Sequence, residues 1–91
     1  MGEERKELIG KVAHYYSKIG VAVVQLSDSL KIGDEISIEG TVTKIRQKVA
    51  SMQIEHKDIE SAGPGQSIGL KVESRVREGD LVYKIEPEEI A

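Results

Sequence analysis

The sequence predicts an all-β fold, a small closed six-stranded β-barrel whose strands are mostly antiparallel. Three glycine-containing turns, at residues 32–34, 62–67 and 78–80, each lead into a short apolar segment, which is typical of turns that begin strands. Two of these turns share a Gly-Asp pair, Gly33-Asp34 and Gly79-Asp80. Short strands joined by short connections are typical of small barrels.

The central turn carries two glycines with different expected roles. Gly65 follows Pro64, and we expect it to adopt a positive φ, which other residues adopt only at a cost. Gly69 lies inside the apolar strand that follows, where glycine weakens a strand unless something approaches closely. We therefore expect a barrel corner or a crossing backbone at Gly69.

The barrel is predicted to span residues 8–85, between a flexible N-terminal arm at 1–7 and an acidic tail at 86–91. In the second strand, Val21 and Val23 should face outward, under a loop, the N-terminal arm or a partner. Residues 56–62 should form one helical turn at most. The six strands are expected at residues 8–16, 21–26, 35–39, 42–55, 66–72 and 81–85.

The long fourth strand should contain a β-bulge. Ile45 and Val49 share one alternation of faces, whereas Met52 and Ile54 share the other. One inserted residue near Ala50 would bring all four side chains to the core, and barrels use such bulges to bend a strand.

Composition bounds the class of protein. The chain of 91 residues has no Phe, Trp or Cys, so its core must be aliphatic and it has neither disulfides nor thiolate metal sites. No apolar run approaches the ~20 residues of a membrane helix. We expect a cytoplasmic monomer that makes no membrane contact. The net charge is −3, to which residues 1–7 contribute −1 and residues 86–91 contribute −3, so the body carries +1.

No pattern of residues nominates a catalytic site, a metal site or a cofactor. The sequence lacks a phosphate-binding loop, and it lacks the Gly-x-Ser-x-Gly turn that carries the nucleophilic serine of many hydrolases. His14 and His56 are isolated from other candidate ligands. We therefore expect a protein that is not an enzyme.

One pattern indicates contact with RNA. Lys44, Arg46 and Lys48 alternate along the long strand and share one face, about 6.5–7 Å apart, near the phosphate spacing of an extended nucleic acid. The alternative is a solvated face that prevents edge-to-edge pairing. Because aromatic residues are few, any RNA contact should be to phosphates. Further candidates for this contact are Lys71, Arg75 and Arg77, with Lys84 beside them.

The turns and their spacing resemble the second domain of translation elongation factor Tu and its relatives. The resemblance covers residues 9–85 and is carried by residues 31–36, 49–53, 62–70 and 76–82. It implies a closed barrel that acts in translation without catalysis, with tRNA, ribosomal RNA or the ribosome as partner. The structural turn residues of this pattern are Gly33, Asp34, Gly65, Gly69, Gly79 and Asp80.

The same Pro-Gly-Gln turn and final Gly-Asp also resemble the accessory C-terminal barrel of collagenase-like peptidases. That resemblance implies a different class of function, a protein-interaction domain with a protein partner.

Overall fold

Strands make up the regular structure of residues 4–87, the part of the chain that the computed structural model describes. No helix occurs within these residues. The strands are β1 (Glu4–Tyr16), β2 (Val21–Leu26), β3 (Leu30–Lys31), β4 (Glu35–Glu39), β5 (Lys44–Lys48), β6 (Met52–Ile54), β7 (Lys57–Ile59), β8 (Ser61–Ala62), β9 (Ser67–Lys71) and β10 (Leu81–Pro87).

Eight of the strands form one sheet in the order β5-β4-β10-β1-β2-β9-β6-β7, and β3 pairs with β8 in a second, two-stranded sheet. Every strand pair is antiparallel. The predicted all-β, antiparallel class is therefore confirmed. The long β1 lies at the centre of the main sheet, paired on one side with β10 and on the other with β2.

The predicted closed six-stranded barrel is wrong. The main sheet has eight strands, and its two edges, β5 and β7, do not pair with each other within the described residues. A side chain bridges part of this opening. The amide of Gln47 on β5 donates to the carbonyl of Lys71 (2.9 Å) and accepts from the N–H of Glu73 (2.8 Å). One buried amide thus stands where barrel closure would need a backbone ladder.

The strand predicted at residues 42–55 is divided in two. β5 ends at Lys48 and β6 begins at Met52, and the two strands pair with different neighbours, β4 and β9. The predicted bulge position falls within this break. The interruption changes the alternation of faces, so Val49 and Met52 are both buried.

The two ends of the described chain lie side by side. β1 begins at Glu4, where it pairs with Pro87 at the end of β10. Residues 4–7 of the predicted flexible arm and residues 86–87 of the predicted tail are therefore in strands. The rest of the predicted arm and tail, residues 1–3 and 88–91, lies outside the described residues.

The helical turn predicted at residues 56–62 is also wrong, because this segment forms β7 and β8. Glu55 and His56 form the tight turn between β6 and β7, and both have positive φ, 51° and 64°. Two consecutive positive φ values define the turn that best matches the twist of a hairpin. The segment therefore reverses direction instead of winding into a helix.

The three turns predicted from their glycines are built in the same way. Gly33, Gly65 and Gly79 have φ values of 93°, 85° and 90°, and each is the third residue of a four-residue turn. In each turn the N–H of the fourth residue donates to the carbonyl of the first, for example Asp80 to Arg77 at 3.1 Å.

The side chain of the fourth residue closes each of these turns a second time by accepting from the N–H of the first residue. Asp34 accepts from Lys31 (3.0 Å), and Asp80 accepts from Arg77 (2.8 Å). In the central turn, the amide oxygen of Gln66 accepts from Gly63 (2.6 Å). We call this pair of bonds the reciprocal turn lock. It lies directly before β4, β9 and β10.

The core is aliphatic, with one methionine, as the missing Phe and Trp require. Its side chains come from all the longer strands and from the loops before β6 and β10. Burial of each such side chain stabilises the fold by about 1.5–3 kcal/mol relative to its exposure. The largest fully buried side chains are those of Ile9, Leu30, Ile36, Ile38, Met52, Ile68 and Leu70.

The close approach predicted at Gly69 occurs at other glycines. A Cβ built on Gly69 would lie 3.4 Å from Val21 Cγ1 and 3.7 Å from the Gln53 carbonyl, which is ordinary contact. A Cβ on Gly40 would instead overlap the Asp80 carboxylate, and one on Gly10 would lie 2.8 Å from the Gln25 carbonyl. Gly10 lies where the register of β1 shifts against β10.

Replacement of Gln47 by Leu should destabilise the protein by about 1–3 kcal/mol, because the Lys71 carbonyl and the Glu73 N–H lose their partner. Urea denaturation followed by circular dichroism measures the loss. Gln53→Leu is the matched control, since Gln53 is exposed, and it should change stability by less than about 0.5 kcal/mol. Equal effects of the two substitutions would contradict the bridging role of Gln47.

Candidate functional site

An apolar groove lies on the outer, solvent-facing side of β1, β2, β9 and β6. Its apolar lining comes from Tyr16 at the end of β1, Ile19 in the following turn, and Val21 and Val23 on β2. The cavity has a volume of about 270 Å³. We call it the outer groove. Its remaining lining comes from Gln53, Glu55, His56, Ser67, Ile68 and Gly69.

The strand register explains the position of the outer groove. Val23 on β2 lies opposite Gly69 on β9, which in turn lies opposite Gln53 on β6. Opposed residues share one face of a sheet, so these three form a row across the strands. The row has a gap at Gly69, where a side chain is missing. Sequence reasoning placed Val21 and Val23 outward but did not recognise that Gly69 shares their face.

Tyr16 is held in place at one end of the outer groove. Its ring packs edge-on against the ring of His14, with centroids 4.4 Å apart, and His14 Nδ1 lies 2.9 Å from a carboxylate oxygen of Glu78. Edge-to-face packing is a favoured arrangement of aromatic rings. Tyr16 nevertheless remains 50% exposed, and Ile19 beside it is 58% exposed. These apolar surfaces are therefore presented to solvent in a defined position.

The Glu55-His56 turn forms the other end of the outer groove. Positive φ costs a residue with a Cβ about 1–2 kcal/mol, and neither residue is the Asn or Gly that such turns prefer. Strained backbone of this kind is concentrated at functional sites. The turn places Glu55 on the lining of the outer groove.

The structure brings three of the predicted RNA-contact residues together on one exposed face. Lys44, Arg46 and Lys48 alternate along β5 with the less exposed Ile45 and Gln47, as their spacing predicted. The neighbouring strand interleaves carboxylates with them, because Glu35 lies opposite Lys48 and Glu39 lies opposite Lys44. The face is therefore a mixed one and not a continuous basic strip.

Ion pairs occupy both of these carboxylates. The Arg46 guanidinium donates to Glu35 at 2.6 Å, and this bond, with the charges of Arg46 and Lys48, lowers the pKa of Glu35. Lys6 and the Ser37 hydroxyl both donate to Glu39, at 2.6 Å and 2.7 Å, and these bonds lower the pKa of Glu39.

The other basic candidates lie apart from β5. Lys71, on β9, donates to the carbonyl of Ile19 at 2.6 Å and so pins the turn after β1. Arg75 and Arg77 line a cavity with His14 and Glu78 in the loop before β10. The Lys84 ammonium lies 3.3 Å from the Ser29 carbonyl. The predicted basic residues therefore do not form one surface.

No cluster of three or more His, Asp or Glu side chains suited to a metal ion occurs among the described residues. The same residues include no helix long and apolar enough to cross a membrane.

Comparison with known proteins relates the chain to peptidases. It is 49% identical to an uncharacterized protease of Methanocaldococcus jannaschii over 80 residues, which is 87% of this chain and 20% of that protein. It is 39% identical to a collagenase of Porphyromonas gingivalis over 87 residues, 93% of this chain and 24% of that protein. The chain thus spans about a fifth to a quarter of the length of these relatives. No protein-family model matches it.

The fold matches a solved domain of the same class. The C-terminal domain of a protein named as a U32 peptidase, from Geobacillus thermoleovorans, superposes with a TM-score of 0.80 and 25% identity. The match covers 86% of this chain and 91% of that domain.

These comparisons correct the family assignment. The resemblance to the second domain of elongation factor Tu is wrong, and so are the predicted role in translation and the predicted RNA and ribosome partners. The alternative resemblance, to the C-terminal domain of collagenase-like peptidases, is the one that the relatives and the solved domain support. The carboxylates on β4 alternate with the basic residues of β5, which explains physically why the basic residues alone wrongly indicated an RNA-binding face.

His56→Gly should raise the free energy of unfolding by about 0.5–1 kcal/mol, because glycine adopts the positive φ at this turn without steric cost. Chemical denaturation measures the change. The matched control is Lys57→Gly, one residue later in β7, which should destabilise by a similar amount because glycine weakens a strand. A loss of stability on His56→Gly would contradict the strain assigned to this turn.

Stability should fall as the pH drops below the ordinary pKa of glutamate. The pKa values of Glu35 and Glu39 are lower in the folded than in the unfolded protein, so their ion pairs stabilise at neutral pH. That contribution is lost as the pH falls through the folded pKa values. Thermal melts between about pH 7 and pH 3 should show a smaller decrease in Tm for Glu35→Gln/Glu39→Gln than for the native protein.

Glu60→Gln is the control for this experiment, because Glu60 is exposed and forms no side-chain hydrogen bond or ion pair with the described residues. It should keep the native pH dependence. If the double substitution also keeps it, the two ion pairs do not contribute to acid sensitivity.

Proposed function

We propose that this chain is a non-catalytic accessory domain of the U32 peptidase and collagenase class, and that it serves peptidases by binding polypeptide. One observation carries the proposal. Similarity to the protease and the collagenase extends over 87% and 93% of this chain but over only 20% and 24% of those proteins. The shared region therefore has the extent of one discrete domain.

The solved C-terminal domain supports the same interpretation. It superposes on this chain over 91% of its own length, so a unit of this size forms the fold without a peptidase body. A domain of 50–100 residues with its own core can fold independently. The cytoplasmic location and the monomeric state stay predictions.

The surface of the chain suits binding more than catalysis. The described histidine–carboxylate pair, His14 and Glu78, is exposed and holds the ring of Tyr16. Its position explains the orientation of an aromatic residue at the outer groove. Apolar pockets with a few polar groups are typical binding sites.

The proposal predicts that the 91-residue chain alone does not hydrolyse gelatin or fluorogenic peptides. Its contribution should appear in a whole enzyme. In the Porphyromonas gingivalis collagenase, deletion of the segment that matches this chain should raise the KM for gelatin, with a smaller effect on kcat. Insertion of this chain in place of the segment should restore the KM.

Hydrolysis of a short chromogenic peptide by the same variants shows whether the remaining enzyme is folded. Peptide hydrolysis by the isolated chain would overturn the non-catalytic assignment. An unchanged KM for gelatin in a folded deletion variant would overturn the accessory role.

A further inference from the structure

The geometry points to the outer groove as a binding site for a short extended polypeptide segment with an apolar residue at one end and a basic residue at the other. The source of the segment, a polypeptide substrate, rests on the proposed function. The binding itself rests on the shape, charge and position of the groove.

The size of the outer groove fits a few residues of extended chain. It crosses four strands, from Tyr16 on β1 to Glu55 beside β6. Three interstrand spacings of about 4.8 Å give a length of about 14 Å, which corresponds to about four residues at about 3.3 Å each. A volume of about 270 Å³ accommodates side chains but not a folded element. A peptide segment is therefore the class of ligand that fits.

The floor of the outer groove allows the ligand backbone to approach closely. Gly69 lies between Val23 and Gln53 in the row of opposed residues, and it contributes no side chain. Glycine within a strand often marks a site where another backbone approaches. The predicted approach of this chain's own backbone is absent at Gly69, so the space above it on the outer face is open to another molecule.

The first end of the outer groove selects an apolar side chain. Tyr16 and Ile19 are each at least half exposed, and Tyr16 is oriented by His14 and Glu78 before any ligand arrives. An aromatic side chain that is already ordered loses little conformational entropy on binding, and tyrosine is enriched among residues that dominate binding energy.

The second end selects a positive charge. Glu55 lines the groove, and its carboxylate forms no hydrogen bond or ion pair with any described residue. No lysine or arginine contributes to the lining. A basic side chain of the ligand complements this carboxylate, at the end opposite Tyr16. The strained turn keeps Glu55 at this position.

The first and last described strands meet far from the outer groove. Tyr16 lies 12 residues along β1 from Glu4, a distance of about 40 Å in an extended strand. Pro87 pairs with Glu4, so residues 4 and 87 both lie at the pole opposite Tyr16.

A second copy of the chain is also a poor occupant. A stable dimer buries about 800 Å² on each partner. The exposed apolar surface of the outer groove comes from two strongly exposed side chains, Tyr16 and Ile19, and two half-buried valines. A short polypeptide segment therefore fits the outer groove better than a second copy of the fold.

NMR titration of the ¹⁵N-labelled chain tests the proposal. The probes are acetyl-Leu-Gly-Ser-Lys-amide and its reversed sequence, because the geometry does not select a chain direction. At least one should shift the amide signals of Val23, Gln53 and Gly69, with a dissociation constant of about 1 mM or tighter. Probes with Asp for Lys, or with Ser for Leu, should bind about tenfold more weakly.

Substitutions locate the contact. Gly69→Val fills the floor of the outer groove and should abolish the shifts. Gly69→Ala, whose Cβ fits the fold, should weaken binding, and it serves as the test if the valine variant does not fold. Glu55→Gln should remove the preference for Lys over Asp. Ile19→Ser should weaken binding, whereas the matched control Val42→Ser, 68% exposed and not part of the groove lining, should not.

Absence of shifts at these residues with either Lys probe would overturn the inference, as would native affinity in a folded Gly69 variant. Equal binding of the Lys and Asp probes would overturn the role of Glu55. The outcome is separable from the test of the accessory role. If the isolated chain binds the probes but the deletion variant keeps its KM for gelatin, peptide binding at the outer groove is supported and the accessory role in a peptidase is overturned.

Discussion

The reciprocal turn lock is the interaction on which the rest of this structure depends. A polar side chain at the fourth position returns to the first N–H of the turn, while a glycine with positive φ makes the reversal possible. The three locks lie directly before β4, β9 and β10, and these strands contact β1, β2, β5 and β6. Seven of the eight strands of the main sheet are therefore positioned through three small hydrogen-bonded turns, which compensates for the modest aliphatic core.

Local chemistry explains which features the sequence predicted and which it did not. Turn residues act on their immediate neighbours, so Gly33, Gly65 and Gly79 could be placed from the sequence. Val21 and Val23 followed from alternation along one strand. Closure of the sheet depends on contacts between distant segments, and the bond from Gln47 to residues 71 and 73 has no local signal. The same holds for Gly69, whose significance lies in the residues opposite it.

The basic residues of β5 show how a pattern within one strand can mislead. Alternation placed Lys44, Arg46 and Lys48 on one face correctly, but their charge depends on β4 as well. Glu35 and Glu39 are separated from β5 by one short loop, so a hairpin register would have indicated the compensation. The resemblance to elongation factor Tu failed for a related reason. Turns and bulges describe how a sheet is built, and one fold serves many functions.

The pairing of Glu4 with Pro87 has a consequence for how the fold can be rearranged. Since the two ends meet, a short linker should join them, and a new start could be opened in an exposed loop by circular permutation. The whole sheet could likewise be placed within a surface loop of a host protein without separating its ends. A domain with this geometry connects to a host protein at one pole only, and the opposite pole, which carries the outer groove, stays exposed.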